Sequence, residues 1–262
     1  MNALASPVQG AFARYPSLHG RAVLITGGAT GIGECLVRHF AAQGARVGFI
    51  DLAVEAGQAL AAELQGAEFA PVFVAADLTD IPAMRLAIAT LREAIGPIRA
   101  LFNNAANDKR QPLSEITPEF WTQSIAVNLN HSFFAAQAVV PDMQAAGGGS
   151  IVNFGSVSWM LKQAGLPSYS AAKAAMHGLS RSLARDLGPH RIRVNTLVPG
   201  WVMTEKQLRL WVDEAARAEI ARGQCINEPL LADHIAHMAL FLAADDSAMC
   251  TAQTFVVDGG WV

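Results

Sequence analysis

The chain has 262 residues, of which 52% are hydrophobic, 16% charged and 7% aromatic. That much apolar material excludes a disordered chain, and the length suits one large hydrophobic core. With 19 basic residues against 22 acidic, a formal charge of −3, the protein lacks the cationic surface that a phosphate backbone demands, which argues against a nucleic-acid partner.

Residues 1–20 read as an N-terminal extension. They lack the basic region and apolar run of a secretion signal, because Pro7, Gln9 and Gly10 break what hydrophobic character there is. The apolar stretch at 133–141 is interrupted by Gln137 and Pro141, well short of the roughly 18 residues that span a bilayer. No membrane association is expected. The cysteines, Cys35, Cys225 and Cys250, are odd in number and widely spaced, fitting neither a disulfide framework nor a zinc cluster. A cytoplasmic setting and no metal follow.

From residue 21 onward, short β-branched runs alternate with longer alanine-rich segments of helical periodicity. Strands are expected at 22–26, 46–50, 71–76, 99–103, 150–155, 191–198 and 253–258. Each is continuously apolar, as in strands covered on both faces. Between them, Thr117 precedes Pro118 and Asp80 precedes Ile81 and Pro82, pairing a capping side chain with a proline suited to a first helical turn. The glycines 147–149 read as a helix-ending turn. Right-handed crossovers assemble these units into an α/β fold: one domain, 21–262, with a single doubly wound parallel seven-stranded sheet and helices on both faces. The segment 200–229, rich in Trp, Arg and Glu, reads as a helical excursion covering a site at the strand C-termini.

The first strand runs into Gly27, Thr30, Gly31, Ile32 and Gly33 and then a helix. Glycine lets a pyrophosphate approach the main chain, and the N–H groups of the helix start complement the anion. The second strand ends at Asp51, 18 residues after Gly33, near the spacing of an acid that binds the adenosine ribose. Neither Thr30 nor Leu52 offers a base for a 2′-phosphate, so NAD is favoured over NADP.

The spacing Thr-Gly-x-x-x-Gly-x-Gly from Thr26 to Gly33 resembles the short-chain dehydrogenase/reductase family, and the likeness extends from residue 21 to 262. Asn103, Asn104, Ala105 and Ala106 resemble its Asn-Asn-Ala-Gly segment, with alanine for the last glycine. The resemblance implies cofactor contacts from Asp77 and Leu78 and from Pro199, Gly200, Val202 and Thr204. Asn128, Ser156, Tyr169 and Lys173 resemble the family's catalytic tetrad. Independently, Tyr169 and Lys173 stand four apart, on one helix face, where an ammonium would lower the phenol pKa and let Tyr169 act as base.

Asn104–Asp108, Asn153–Trp159 and Asp258–Val262 further resemble bacterial NAD-linked aldose 1-dehydrogenases acting on galactose, arabinose or xylose. Polar contacts to such a sugar are expected from Asn107, Ser156, Ser158, Lys162, Gln163 and Tyr169, and stacking from Trp159 and Trp201. Two rivals stand beside this reading. One is a dehydrogenase or reductase for a polyol, secondary alcohol or 3-oxoacyl substrate, and the other a non-catalytic dinucleotide sensor. The family resemblance also implies a homotetramer, packed through the small-residue helices around 133–140 and 171–183.

Overall fold

The computed structural model describes residues 12–262; the first part of the expected extension, 1–11, lies outside the described residues. Seven strands, β1 (Ala22–Thr26), β2 (Arg46–Asp51), β3 (Val72–Ala75), β4 (Ala100–Asn103), β5 (Gly149–Phe154), β6 (Ile192–Pro199) and β7 (Thr254–Val257), form one sheet. Their order is β3-β2-β1-β4-β5-β6-β7, and every pairing is parallel. The expected strands are all present, with ends within two residues of those read from sequence.

Helices α1 (Gly31–Ala42), α2 (Val54–Glu63) and α3 (Ile81–Ile95) connect the first four strands. Next come α4 (Pro118–Ile125), α5 (His131–Ala145) and α6 (Pro167–Leu187), then α7 (Glu205–Leu210), α8 (Glu214–Gly223) and α9 (Ala232–Ala243). The start signals act as expected. The Asp80 carboxylate accepts from Ala83 N–H at 3.0 Å, and the Thr117 hydroxyl accepts from Phe120 N–H at 3.2 Å, each satisfying an otherwise orphaned donor. The 147–149 glycines do end α5, Gly147 and Gly148 having positive φ. Pro141 lies inside α5 without ending it.

Two buried clusters, one on each face of the sheet, make the core. One joins Val23, Phe40, Phe49 and Phe102 to Ile235 and Leu240 of α9. The other joins Leu24, Ile50, Leu101 and Ile151 to Ile88 of α3 and Val139 of α5. Leu18, ahead of β1, is fully buried in the first cluster. Strands β1, β4 and β6 are buried throughout, as continuous apolar runs predict. The edge strand β7 departs from that expectation: Thr254 and Val256 are exposed while Phe255 and Val257 are half-buried, because only one face of an edge is covered here.

Strand order reverses between β1 and β4, whose immediate chain successors β2 and β5 lie on opposite sides. The carboxyl ends flanking that switch point form the crevice in which open α/β sheets bind ligands. All the loops that matter below leave the sheet on this rim.

Candidate active site

The wall of the crevice at the end of β1 is mostly main chain. Gly27 adopts φ +66, and a Cβ there would lie 2.7 Å from Ala105 Cα. At Gly33 a Cβ would fall 1.8 Å from the Gly27 carbonyl oxygen, so the first turn of α1 packs directly on the end of β1. Thr30 precedes α1 without capping it, leaving the N–H groups of Gly31, Ile32 and Gly33 for an anion. Asn104 staples the neighbouring strand ends together, its amide donating to the carbonyls of Thr26 at 3.1 Å and Gly27 at 2.8 Å. The Thr26 hydroxyl accepts from Asn104 and Ala105 N–H. Such a crowded, backbone-lined cradle fits a pyrophosphate and leaves the helix start open to it.

Asp51 ends β2 on the same rim. Its carboxylate accepts from Ala29 N–H at 2.9 Å and Ala53 N–H at 3.0 Å, which ties the end of β2 to the glycine turn. Leu52 beside it is 65% exposed, and Thr30 is exposed at the start of α1. Beyond β3, Asp77 is fixed by Thr79 N–H and hydroxyl, both at 2.8 Å, with Leu78 buried next to it. Pro199 and Gly200 end β6, and the Thr204 hydroxyl caps α7 by accepting from Gln207 N–H at 3.3 Å. Thr204 Cγ2 also lies opposite Gly31, so the β6 loop meets the glycine turn across the crevice.

Ser156, Tyr169 and Lys173 line one cleft with a volume of about 220 Å³. Tyr169 and Lys173 lie one turn apart near the start of α6. The Lys173 ammonium donates to the Phe154 carbonyl at 2.9 Å and sits 5.7 Å from the centre of the Tyr169 ring. Ser156 starts a 3₁₀ turn, its hydroxyl accepting from Ser158 N–H at 3.1 Å. Asn128 is fully buried in a π-helical turn, Ala126–Asn130, between α4 and α5. Its side chain accepts from Asn107 N–H at 2.9 Å and donates to the carbonyls of Asn107 at 3.1 Å and Ser124 at 2.9 Å. Asn128 thus holds the loop after β4 in place.

The electrostatics correct one expectation. Burial pushes the Tyr169 phenol up to about 12, opposed by a hydrogen bond with Ser156 and reinforced by the Asp108 charge. Burial outweighs any effect of Lys173 there; burial likewise pushes the Lys173 ammonium down to about 8, and that group donates to the Phe154 carbonyl. His131, buried on α5, is driven to about 3 by burial and the Lys173 charge, so it adds no positive charge.

Four of the expected sugar contacts, Asn107, Ser158, Trp159 and Lys162, are not among the residues lining this cleft. Ser158, Trp159 and Lys162 line an adjoining, more open groove with Leu113 and Ala171, which shares Gln163 with the cleft, and the Trp159 ring meets His177 edge-on at 5.2 Å. Asn107 is exposed and engages Asn128 through its main chain instead of lining the cleft. Gln163 and Trp201 do line it.

Lining residues that escaped notice include Asp108, Arg110, Gln207, Glu219 and Trp261. Trp261 stacks on Trp201 at 6.4 Å between centroids. The Asp108 carboxylate accepts from Lys206 Nζ at 2.6 Å and Gln207 Nε2 at 2.8 Å, and Gln207 Oε1 accepts from Trp201 Nε1 at 3.0 Å. Burial works to raise Asp108, but the Lys206 bond and charge hold it below its usual range. The Arg110 guanidinium lies 4.1 Å over the Trp211 ring, with its Nε buried and unpaired among the described residues. Asp108 lay next to Asn107 in the resembling segment and Trp261 in the closing one, so those two were within reach of sequence reasoning.

Residues 27–262 match the family described as enoyl-(acyl carrier protein) reductase. The chain is 48% identical over 248 residues to a probable galactose dehydrogenase of Rhizobium meliloti, covering 94% of this chain and 97% of that protein. It is 44% identical over 247 residues to D-xylose 1-dehydrogenase of Caulobacter vibrioides, covering 94% and 98%. A crystal structure of a gluconate 5-dehydrogenase from Burkholderia cenocepacia, in complex with NADP and tartrate, matches with a TM-score of 0.87 at 33% identity, covering 94% and 97%. Among the described residues, no helix is long and apolar enough to cross a membrane.

Proposed function

This chain belongs to the short-chain dehydrogenase/reductase family, and from that premise we propose that it oxidises the anomeric carbon of a cyclic aldose, galactose-like or a pentose, with NAD as acceptor. The observation that carries the reading is the cleft. Ser156 and Tyr169 face a space walled by the indoles of Trp201 and Trp261 and edged by Asp108, Arg110, Gln163 and Gln207. Flat apolar walls suit the C–H face of a sugar, and ring-edge polar groups suit its hydroxyls. The galactose and xylose dehydrogenases named above support the same substrate class.

In the proposed reaction Tyr169 takes the proton of the anomeric hydroxyl while Ser156 donates a hydrogen bond to the same oxygen. The dinucleotide, when bound, supplies the hydride acceptor for C1. Oxidation then gives a lactone and one released proton. Lys173 contributes positive charge beside the phenol and a donor for the nicotinamide ribose. Asn128 maintains the loop carrying Asn107 and Asp108, and through it the cleft wall. The pyrophosphate rests on Gly27 and Gly31–Gly33. Ala105 and Ala106 border the nicotinamide side with Pro199, Gly200, Val202 and Thr204, and Asp77 and Leu78 border the adenine.

Preference for NAD rests on Asp51. A 2′-phosphate would approach a carboxylate that the glycine turn already holds in place, with no basic group at Thr30 or Leu52 to neutralise it. The reading extends to a cytoplasmic homotetramer, which light scattering tests: a monomer refutes it. For the substrate, the test is a screen of dinucleotide reduction over aldoses, polyols and secondary alcohols, with NAD and NADP in parallel. Turnover of aldoses with NAD is expected. Turnover of polyols but no aldose would overturn the proposal.

A further inference from the structure

Outside the cleft, where α1 packs on α9, four side chains with metal-binding chemistry converge. Cys35 and His39 stand four apart on α1, and Asp233 and His237 four apart on α9, so each pair shares one face of its helix. The ligating atoms of Cys35, His39 and Asp233 all lie within 4.8 Å of one another. His39 Nε2 is 3.0 Å from Asp233 Oδ1. The His237 ring stands at 88° to that of His39, 5.0 Å away between centroids, and its Nε2 is buried with no hydrogen-bond partner among the described residues. Phe12 stacks on His237 at 3.9 Å between centroids.

A helix contact held by an ion pair accounts for His39 and Asp233 alone. It leaves unexplained a thiol aimed at that pair and an imidazole nitrogen buried without a partner. The neighbouring His234 is committed elsewhere, its Nδ1 accepting from Leu231 N–H at 3.0 Å. We propose that Cys35, His39 and Asp233 hold zinc as a clamp between α1 and α9, and that His237, whose nitrogens stand outside that 4.8 Å group, turns in to complete a tetrahedral site. One thiolate, one carboxylate and two imidazoles balance the dication, and the sulfur and nitrogen donors favour zinc over magnesium or calcium. The side chains of His39 and Asp233 are 21% and 23% exposed, which gives an ion a path from solvent. Binding replaces the Cys35 S–H bond with S–Zn and releases that proton to solvent. The clamp closes two residues beyond Gly33, so it would stiffen the helix whose start cradles the dinucleotide.

Cobalt(II) is the direct probe, added to the full chain after chelator treatment. One equivalent per chain should give a sulfur-to-cobalt charge-transfer band together with visible bands of tetrahedral intensity, both displaced by zinc(II). Zinc should also raise the melting temperature, because the unfolded chain does not present the four ligands together. Cys35→Ser should abolish the charge-transfer band, whereas Cys225→Ser and Cys250→Ser should leave it. His39→Ala and His237→Ala should each weaken zinc binding by more than the roughly tenfold to hundredfold lost with a supporting hydrogen bond. Far-ultraviolet circular dichroism establishes that each variant is folded. Absence of stoichiometric binding, or a band that survives Cys35→Ser, would overturn the site. An affinity unchanged in His237→Ala would overturn the four-residue set.

Discussion

Two walls of the crevice present themselves to ligands by different means. From β1 through α1 to β2 the exposed surface is main chain, and its shape is set by glycines with no space for a side chain: Gly27 against Ala105 and Gly33 against the Gly27 carbonyl. Across the cleft, the loop after β4 and the excursion carrying α7 and α8 are joined by long side chains. Asp108, Lys206, Gln207 and Trp201 form one hydrogen-bonded chain, and Arg110 stacks on Trp211. A backbone wall tolerates little change and serves the part of the ligand that is constant. A side-chain wall can be rebuilt residue by residue, which suits the part that varies among relatives named for different sugars.

The contrast is sharpened first where both walls meet, at Tyr169. Tyr169→Phe keeps the ring and loses the base, so turnover should fall by at least about a hundredfold while NAD binding persists, general-base removal costing that much or more. Near-normal turnover would displace Tyr169 from its role. On the backbone wall, Gly33→Ala should lower stability by about 1–3 kcal/mol, as overpacking does, and weaken NAD binding. Chemical denaturation and dinucleotide titration measure both, and a silent variant would mean that this wall yields as easily as the other.

Smaller effects separate cofactor choice from substrate choice. Asp51→Ala should narrow the ratio of kcat/KM for NAD over NADP by roughly tenfold, the equivalent of about 1.4 kcal/mol; an unchanged ratio would assign selection to another residue. Gln207→Ala cuts the link between Trp201 and Asp108, so KM for the sugar should rise by about fivefold, near the worth of one net hydrogen bond, with KM for NAD unchanged. If KM for NAD moved equally, the two walls would not be separable. Finally, a phenol raised to about 12 is protonated at neutral pH. The base form grows with pH, so kcat/KM for oxidation should climb on the alkaline side of neutrality, and an acid optimum would contradict the assignment of the base.

The same contrast explains what could be read before any coordinates. Strand positions, the order of the units and the glycine turn were legible because each depends on local chemistry: β-branched runs, caps at Asp80 and Thr117, and positions where only glycine fits. Tyr169 and Lys173 were legible because, with Asn128 and Ser156, they resemble the family's tetrad, and helix geometry puts residues four apart on one face. The substrate wall was not, since it is assembled from residues about 100 positions apart, such as Asp108 with Lys206 and Gln207. Nor was the π-turn that buries Asn128, which no periodicity announces. Nearness of Ser158 and Trp159 to Ser156 along the chain does not say which of two adjoining grooves a 3₁₀ turn faces. Sequence spacing brings Lys173 close to Tyr169 but does not reveal that burial raises the phenol and lowers the ammonium.

Anomeric oxidation by the backbone-held NAD is the central claim, and isotope transfer tests it most directly. D-galactose or D-xylose deuterated at C1 is incubated with the protein and NAD, and the reduced dinucleotide and sugar product are analysed by mass spectrometry. The account predicts one deuterium in the reduced dinucleotide and an unlabelled lactone in equal amount. Reduced dinucleotide without deuterium, or no reduction with either sugar, would contradict it.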